Sequence, residues 1–363
     1  MNNRIIHLIR WVVGLLFIFS GLIKVNDPVG LSYKMQEFFE VGHLFFLNDY
    51  ALFFSIAMNC FEVLAGVAVI IGWRIKLFSW LLLLLIIFFS FLTGFALFSG
   101  KIKTCGCFGD CIPLTAAQSF TKDLVLLLLI GILFFMRYKI QSIATQKSAL
   151  FLLSSTVILS LLAQWYALRH LPFIDCLPYK VGNNIVEQMK MPKGAIADSM
   201  QIEFEYQKNG KLIRFDQDHF PPDFNEQYTY IGRQDKLVKK GNGLKPAIAD
   251  FSLQTLSGND TTAAVFAQQG KYILLLVQNA ENREQWTIQL NNMLPKLQLK
   301  HIPLMIVSAE AGLLQPFFSG ITLLNCDATV LKTAARVKPT FLVMDGADIV
   351  GKFSYLDADK HHF

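Results

Sequence analysis

The sequence predicts an α-helical transmembrane bundle, then an extracytoplasmic β-rich region, then an α/β domain. Three observations carry this. Of 363 residues, 53% are hydrophobic and only 17% are charged, a balance foreign to ordinary soluble domains. Five apolar runs approach the roughly 20 residues that a helix needs to cross a bilayer. All five precede residue 170, and shorter strand-like and helix-like segments come after it.

The runs span about residues 5–24, 51–73, 77–98, 119–136 and 149–168. The last contains no charged residue. Arg4 and Arg10 resemble the start of a signal peptide, but Arg10 interrupts the apolar core and no small-residue cleavage site appears before Lys24. An uncleaved first helix is expected. Four helices therefore occupy 1–140 and a fifth 141–170. Next come a small β-rich region at 171–245 and an α/β domain at 246–363.

Basic residues set the orientation. Arg4 and Arg10, Arg74 and Lys76, and Arg137, Lys139 and Lys147 fall on one side if the helices alternate. Lys24, Lys34, Lys101, Lys103 and Lys122 on the other side weaken the bias, yet acids accompany most of them. The first side is therefore expected to be cytoplasmic, in a bacterial inner membrane. The segments around 25–50 and 101–115, and everything past residue 169, then lie outside, where disulfides persist. The net charge of +6 comes from residues flanking helices and does not imply nucleic acid. Within 25–50, MQEFFEVGHLFFL is amphipathic and is expected to lie in the interface as a short helix.

Past residue 195, QIEFEYQKNGKLIRF alternates around Asn209 and Gly210, a strong hairpin signal. KYILLLVQ reads as a buried strand, ENREQWTIQLNNMLPKL as an amphipathic helix and HIPLMIVSA as another strand. A helical stretch is expected around 313–318 and a helix at ATVLKTAARV. PTFLVMD and DIVGKFSYL close the domain as a hairpin. Strands alternating with helices give a layered α/β domain.

Cys105, Cys107 and Cys111 crowd into seven residues, half of the chain's six cysteines. Lys101 and Lys103 precede them, and Thr115 to Gln118 reads as a capping box opening the fourth helix. Positive charge and a helix N-terminus both activate thiolates. A Cys-x-Cys disulfide closes a small, strained ring, and strained disulfides exchange readily. One reading is therefore an exchanging pair resolved by the third cysteine. A second is a static disulfide, such as Cys111 to Cys176. Zinc is a third, although this spacing is unusual for it.

Glu62 lies near the middle of the second helix. An acid at that depth costs roughly 2.5 kcal/mol or more and is expected to face the bundle with a partner. Ser20 or Thr93 could hold it structurally, or it could relay protons beside a quinone or substrate pocket. Lys24 and Asp27 end the first helix on the cysteine side and join the site candidates. They could pair with each other or cap the helix, Lys24 could snorkel to the interface, and Asp27-Pro28 reads as a turn. The Phe-rich third helix could line a quinone site, but facing lipid is the stronger expectation. Cys60 and Cys326 read as buried filler, and no His spacing suggests a metal site.

Two resemblances rest on these residues. SGLIKVNDPVG at 20–30, Glu62 and CGCFG at 105–109 resemble the DoxX/MauE group of four-helix membrane proteins over about residues 5–138. The resemblance implies an inner-membrane factor linked to thiol–disulfide or quinone chemistry, MauE itself being a maturation factor in methylamine utilisation. The fusion to a fifth helix and an outside domain resembles DoxX-family proteins of Bacteroidetes. KPAIADFSLQTLSG, KYILLLVQ and VKPTFLVMDGADIVGKF resemble a thioredoxin-like domain over 246–356. That resemblance implies a cis proline at Pro339 and a dithiol at about 278–286. QNAENREQW there has no cysteine.

The leading expectation is a thiol–disulfide or quinone-linked role on the outer face, with the cysteine loop as exchange site. An extracytoplasmic protein partner would dock on the outside domain. The alternative is a non-catalytic scaffold or assembly factor. A small-solute transporter is less favoured, because no inverted repeat is visible. Walker, Rossmann and catalytic-triad motifs are absent from the sequence.

Overall fold

The computed structural model describes residues 3–100, 102, 106–196, 199–239, 241, 243–281 and 283–360. The chain forms two compact units, Met1–Gly182 with Ser252–Phe363, and Asn183–Phe251.

Helix α1 (Asn3–Asn26) runs into α2 (Pro28–Val41) at Asp27. The Asp27 carboxylate accepts the Gly30 N–H at 3.0 Å, and Pro28 takes the first helical position, where its missing N–H does no harm. A 3₁₀ turn at Phe45–Tyr50 leads into α3 (Ala51–Ile71). Where one interfacial helix was expected, the 25–50 segment thus holds α2 and a separate turn. Ser55 Oγ donates to Pro28 O at 2.7 Å, holding α2 to the bundle.

Left-handed Gly72 ends α3, and Gly100 ends α4 (Ile75–Ser99). Thr115 caps α5 (Ala116–Met136) with both arms of the predicted capping box. Thr145 caps α6 (Gln146–His170). The five long helical segments are long and apolar enough to cross a membrane. The chain is a multi-pass membrane protein.

Helices α1 and α3 approach each other at backbone distance. A Cβ on Gly14 would lie 2.4 Å from Ile70 Cγ1, and one on Gly66 would lie 2.6 Å from the Gly14 carbonyl oxygen. Small residues let membrane helices pack this closely. Around this contact Val13, Phe17, Val69, Leu82 and Ile130 form the buried core.

The second unit holds α7 (Ile185–Met189) and an antiparallel sheet of β1 (Ser199–Lys208), β2 (Lys211–Asp216) and β3 (Thr229–Lys239), ordered β2-β1-β3. Lys208 pairs with Lys211 across Asn209 and Gly210, whose φ angles are 50° and 77°. Positive φ at both positions is the hairpin geometry that Asn-Gly favours. Tyr206, Phe215, Phe220, Phe224 and Tyr228 form an aromatic cluster in which Phe215 and Tyr228 are buried.

After α8 (Thr262–Phe266) come β4 (Lys271–Val277), α9 (Glu284–Leu299), β5 (Leu304–Ser308), α10 (Ala311–Leu314), β6 (Thr322–Asn325), α11 (Ala328–Ala334), β7 (Thr340–Asp345) and β8 (Asp348–Ser354). They form a five-stranded sheet ordered β6-β5-β4-β7-β8. β4, β5 and β6 are parallel, and β7 pairs antiparallel with both β4 and β8. Two details depart from expectation. The helix expected around 313–318 stops at Leu314, and the four-residue β6, too short to announce itself, forms an edge. Trp286 and Leu290 of α9 pack on Ile273, Leu275 and Phe341 of the sheet.

Within the first unit this domain is joined to the end of α6 and the segment beyond it. Ser354 Oγ donates to Arg169 O at 2.5 Å, His170 Nδ1 lies 2.9 Å from Asp357 Oδ2, and Lys352 pairs with Asp175 at 2.7 Å. Lys352 is almost fully enclosed, and burial lowers its pKa against the pull of Asp175.

Candidate functional site: a thiol over an apolar cavity

A cavity of about 600 Å³ opens among α1 to α5 beneath the cysteine loop. Its walls are mainly apolar, with Phe17, Phe38, Phe54, Phe88, Phe89 and Phe95 among them. Ser20, Lys24, Lys34, Glu62, Thr93, Cys107, Lys122 and Asp123 supply its polar atoms. The Phe-rich helix was expected to face lipid. Phe88, Phe89, Phe91 and Phe95 line the cavity, yet Phe88, Phe91, Phe95 and Phe98 are also exposed, so the helix presents rings to both the cavity and the outside of the bundle.

The α1–α3 contact brings Ser20 and Lys24 onto Glu62. Lys24 Nζ lies 2.5 Å from Glu62 Oε1, with 3% and 1% of the two side chains exposed. Lys24 does not snorkel, because its partner lies inside the bundle. Ser20 Oγ is 3.0 Å from both Glu62 Oε2 and the Cys107 carbonyl oxygen, so one hydroxyl spans the carboxylate and the loop. Asn59 Nδ2 reaches Lys24 O at 3.0 Å and Gln164 Oε1 at 3.1 Å, continuing the polar chain to α6.

Of the two partners expected for Glu62, Ser20 is present. Thr93 instead donates to Asp123 Oδ2 at 2.9 Å. Lys122 Nζ sits 2.6 Å from Asp123 Oδ1. Sequence reasoning used Lys122 only for orientation and passed over Asp123. Two adjacent charges inside an apolar run were the available signal.

Cys107 is unpaired among the described residues. Burial pushes its thiol up, with Lys122 opposing that shift. Cys105 lies outside the described residues. Cys111 is bonded to Cys176, with Cα atoms 4.8 Å apart. That bond removes Cys111 from the resolving role while it stands, and it pins the loop to the segment after α6. Asn26 reinforces the join, donating to Ile174 O at 2.8 Å and accepting from Ile174 N at 3.0 Å.

Asp27 does more than turn the chain. Arg336, 5% exposed, donates to Asp27 Oδ2 at 2.8 Å and to Asp110 Oδ2 at 2.5 Å. One guanidinium thus ties the cysteine loop and the α1–α2 junction to the segment after α11. Shortly after it in the chain, the Lys338–Pro339 peptide bond is cis. Beside them Tyr33 Oη donates to Gln278 Oε1 at 3.0 Å, and the Gln278 amide donates to Ala335 O. Gln278 is thereby joined to Tyr33 of α2 and to the end of α11. Cys60 and Cys326 are buried, and burial pushes the Cys326 thiol up to about 12.

Comparison with known proteins bears on this site. Residues 2–136 match the family of methylamine utilisation protein MauE, and residues 200–240 match a domain of unknown function, DUF8463. Protein TlpB of Flavobacterium psychrophilum is 28% identical over 136 residues. That match covers 37% of this chain and 37% of that protein, so it spans little more than a third of the curated relative. No solved structure matches. Every residue lining the cavity falls within the stretch similar to MauE.

Proposed function

We propose that the chain is a thiol–disulfide factor of the bacterial inner membrane, linked to a lipid-soluble quinone through the cavity beneath Cys107. The observation that carries this reading is the unpaired, half-buried Cys107 thiol at the roof of a mainly apolar cavity containing Glu62 and Lys24. Similarity to MauE over residues 2–136 supports it, as does its membrane setting. A partner dithiol would be oxidised by a Cys105–Cys107 disulfide. The resulting dithiol would pass two electrons and two protons to the quinone, giving quinol. Glu62 would relay one of these protons from the thiols to the quinone, with Ser20 linking it to the loop.

The C-terminal domain is read as thioredoxin-like, supported by its strand order and the cis Pro339. With no cysteine at 278–286, it would bind a partner without exchanging disulfides. The N-terminus is placed in the cytoplasm on the basic residues at that end of the helices. Trapping tests the reading. In cells carrying Cys105→Ser, acid quenching should capture a mixed disulfide through Cys107, and Cys107→Ser should abolish it. Without such an adduct the exchange reading fails. A membrane scaffold, which the Cys111–Cys176 staple favours, would replace it.

A further inference from the structure

The cavity holds a second charged pair, to which thiol exchange with quinone assigns no role. Lys122 and Asp123 are consecutive on α5 and line the cavity with Cys107. Asp123 is fully buried, fastened by Thr93 at 2.9 Å and by Lys122 at 2.6 Å. Lys122 keeps 24% exposure, so its ammonium is anchored yet still reachable. Its Nζ stands 5.4 Å over the ring of Phe108, the residue after Cys107. Phe108 is braced in turn by Phe19 of α1, with ring centroids 5.8 Å apart. The ammonium is thereby fixed beside the thiol-bearing loop.

The other charged groups around Cys107 are differently engaged. Lys24 of α1 and Glu62 of α3 are bound to each other and almost fully enclosed. Lys34 of α2 pairs with Glu37 at 2.8 Å. Asp110, in the loop itself, is held by Arg336. α4 faces the cavity with Thr93 and aromatic rings.

We propose that Lys122, anchored by Asp123, is the positioning cation that stabilises the thiolate of Cys107. The assignment rests on the thiol-exchange reading, since only the thiolate attacks or leaves in exchange. Among the charges acting on Cys107, Lys122 is the largest that opposes the upward push of burial.

The test is the pH profile of Cys107 alkylation in the full chain, purified in detergent, mildly reduced and read by peptide mass spectrometry. Lys122→Met should move the midpoint up by about one pH unit and slow labelling at neutral pH about tenfold, while the alkaline plateau stays unchanged. Lys122→Arg should restore the wild-type midpoint. Where Lys122→Met does not fold, Lys122→Gln carries the same expectation, because its amide still reaches Asp123. An unchanged midpoint overturns the proposal, and so does a fall in the plateau alone, the mark of a merely structural role. If the midpoint shifts while Cys107→Ser leaves quinone-dependent thiol oxidation intact, the assignment stands and the exchange reading falls.

Discussion

Lys24 of α1 and Glu62 of α3 form an ion pair of 2.5 Å in which neither side chain reaches solvent. Two enclosed charges are tolerable only together. Removing one leaves the other unpaired in a low-dielectric interior, at about 3–5 kcal/mol. Glu62→Ala should therefore lower thermal stability in detergent sharply. Replacing both, as Lys24→Met with Glu62→Leu, should recover most of the loss. If the single and double variants melt alike, the pair is not coupled as the geometry requires.

The pair depends on backbone contact between α1 and α3. Gly66→Leu would drive a side chain into the Gly14 carbonyl. Overpacking of this kind costs about 1–3 kcal/mol or more. The variant should melt lower and label faster at Cys107, because α1 must retreat with Ser20. Unchanged melting would contradict the close approach.

Arg336 links both carboxylates at the cysteine-loop end. Arg336→Met removes charged hydrogen bonds of about 2 kcal/mol, a figure reduced because Asp110 is 42% exposed. Limited proteolysis should then cut the C-terminal domain from the membrane region faster, while Cys111–Cys176 stays intact. Equal cleavage rates would count against a docking role.

Asp327 caps α11, accepting from the Thr329 and Val330 N–H groups at 2.7 and 3.2 Å. These bonds favour the carboxylate and hold its pKa below the usual range. A depressed folded pKa stabilises above the unfolded value and is lost as pH falls through the folded one. Asp327→Ala should cost about 1 kcal/mol at neutral pH. The gap from wild type should close in acid, as denaturant melts at both pH values will reveal.

Much of the architecture was legible because it is local. Span length, the Thr115–Gln118 capping box and the Asn209-Gly210 turn are each set within a few residues. The site was legible only in its parts. Glu62 stood out by its depth, yet its pairing with Lys24 depends on how α1 rotates against α3. Arg336 meets Asp27 and Asp110 across separations of 309 and 226 residues, beyond any local pattern. Cys111–Cys176 was one of several pairings that sequence could not separate, because loop proximity is a tertiary property. Lys122 and Asp123 were visible, but only Lys122 was used, and for orientation alone.

The most direct test exposes the mildly reduced protein, in lipid nanodiscs, to a short-chain quinone before alkylation. Quinone should protect Cys107 from alkylation, quinol should appear in step, and Cys107→Ser or Glu62→Gln should suppress its formation. Cys107 alkylating equally with and without quinone, with no quinol formed, would contradict the exchange reading.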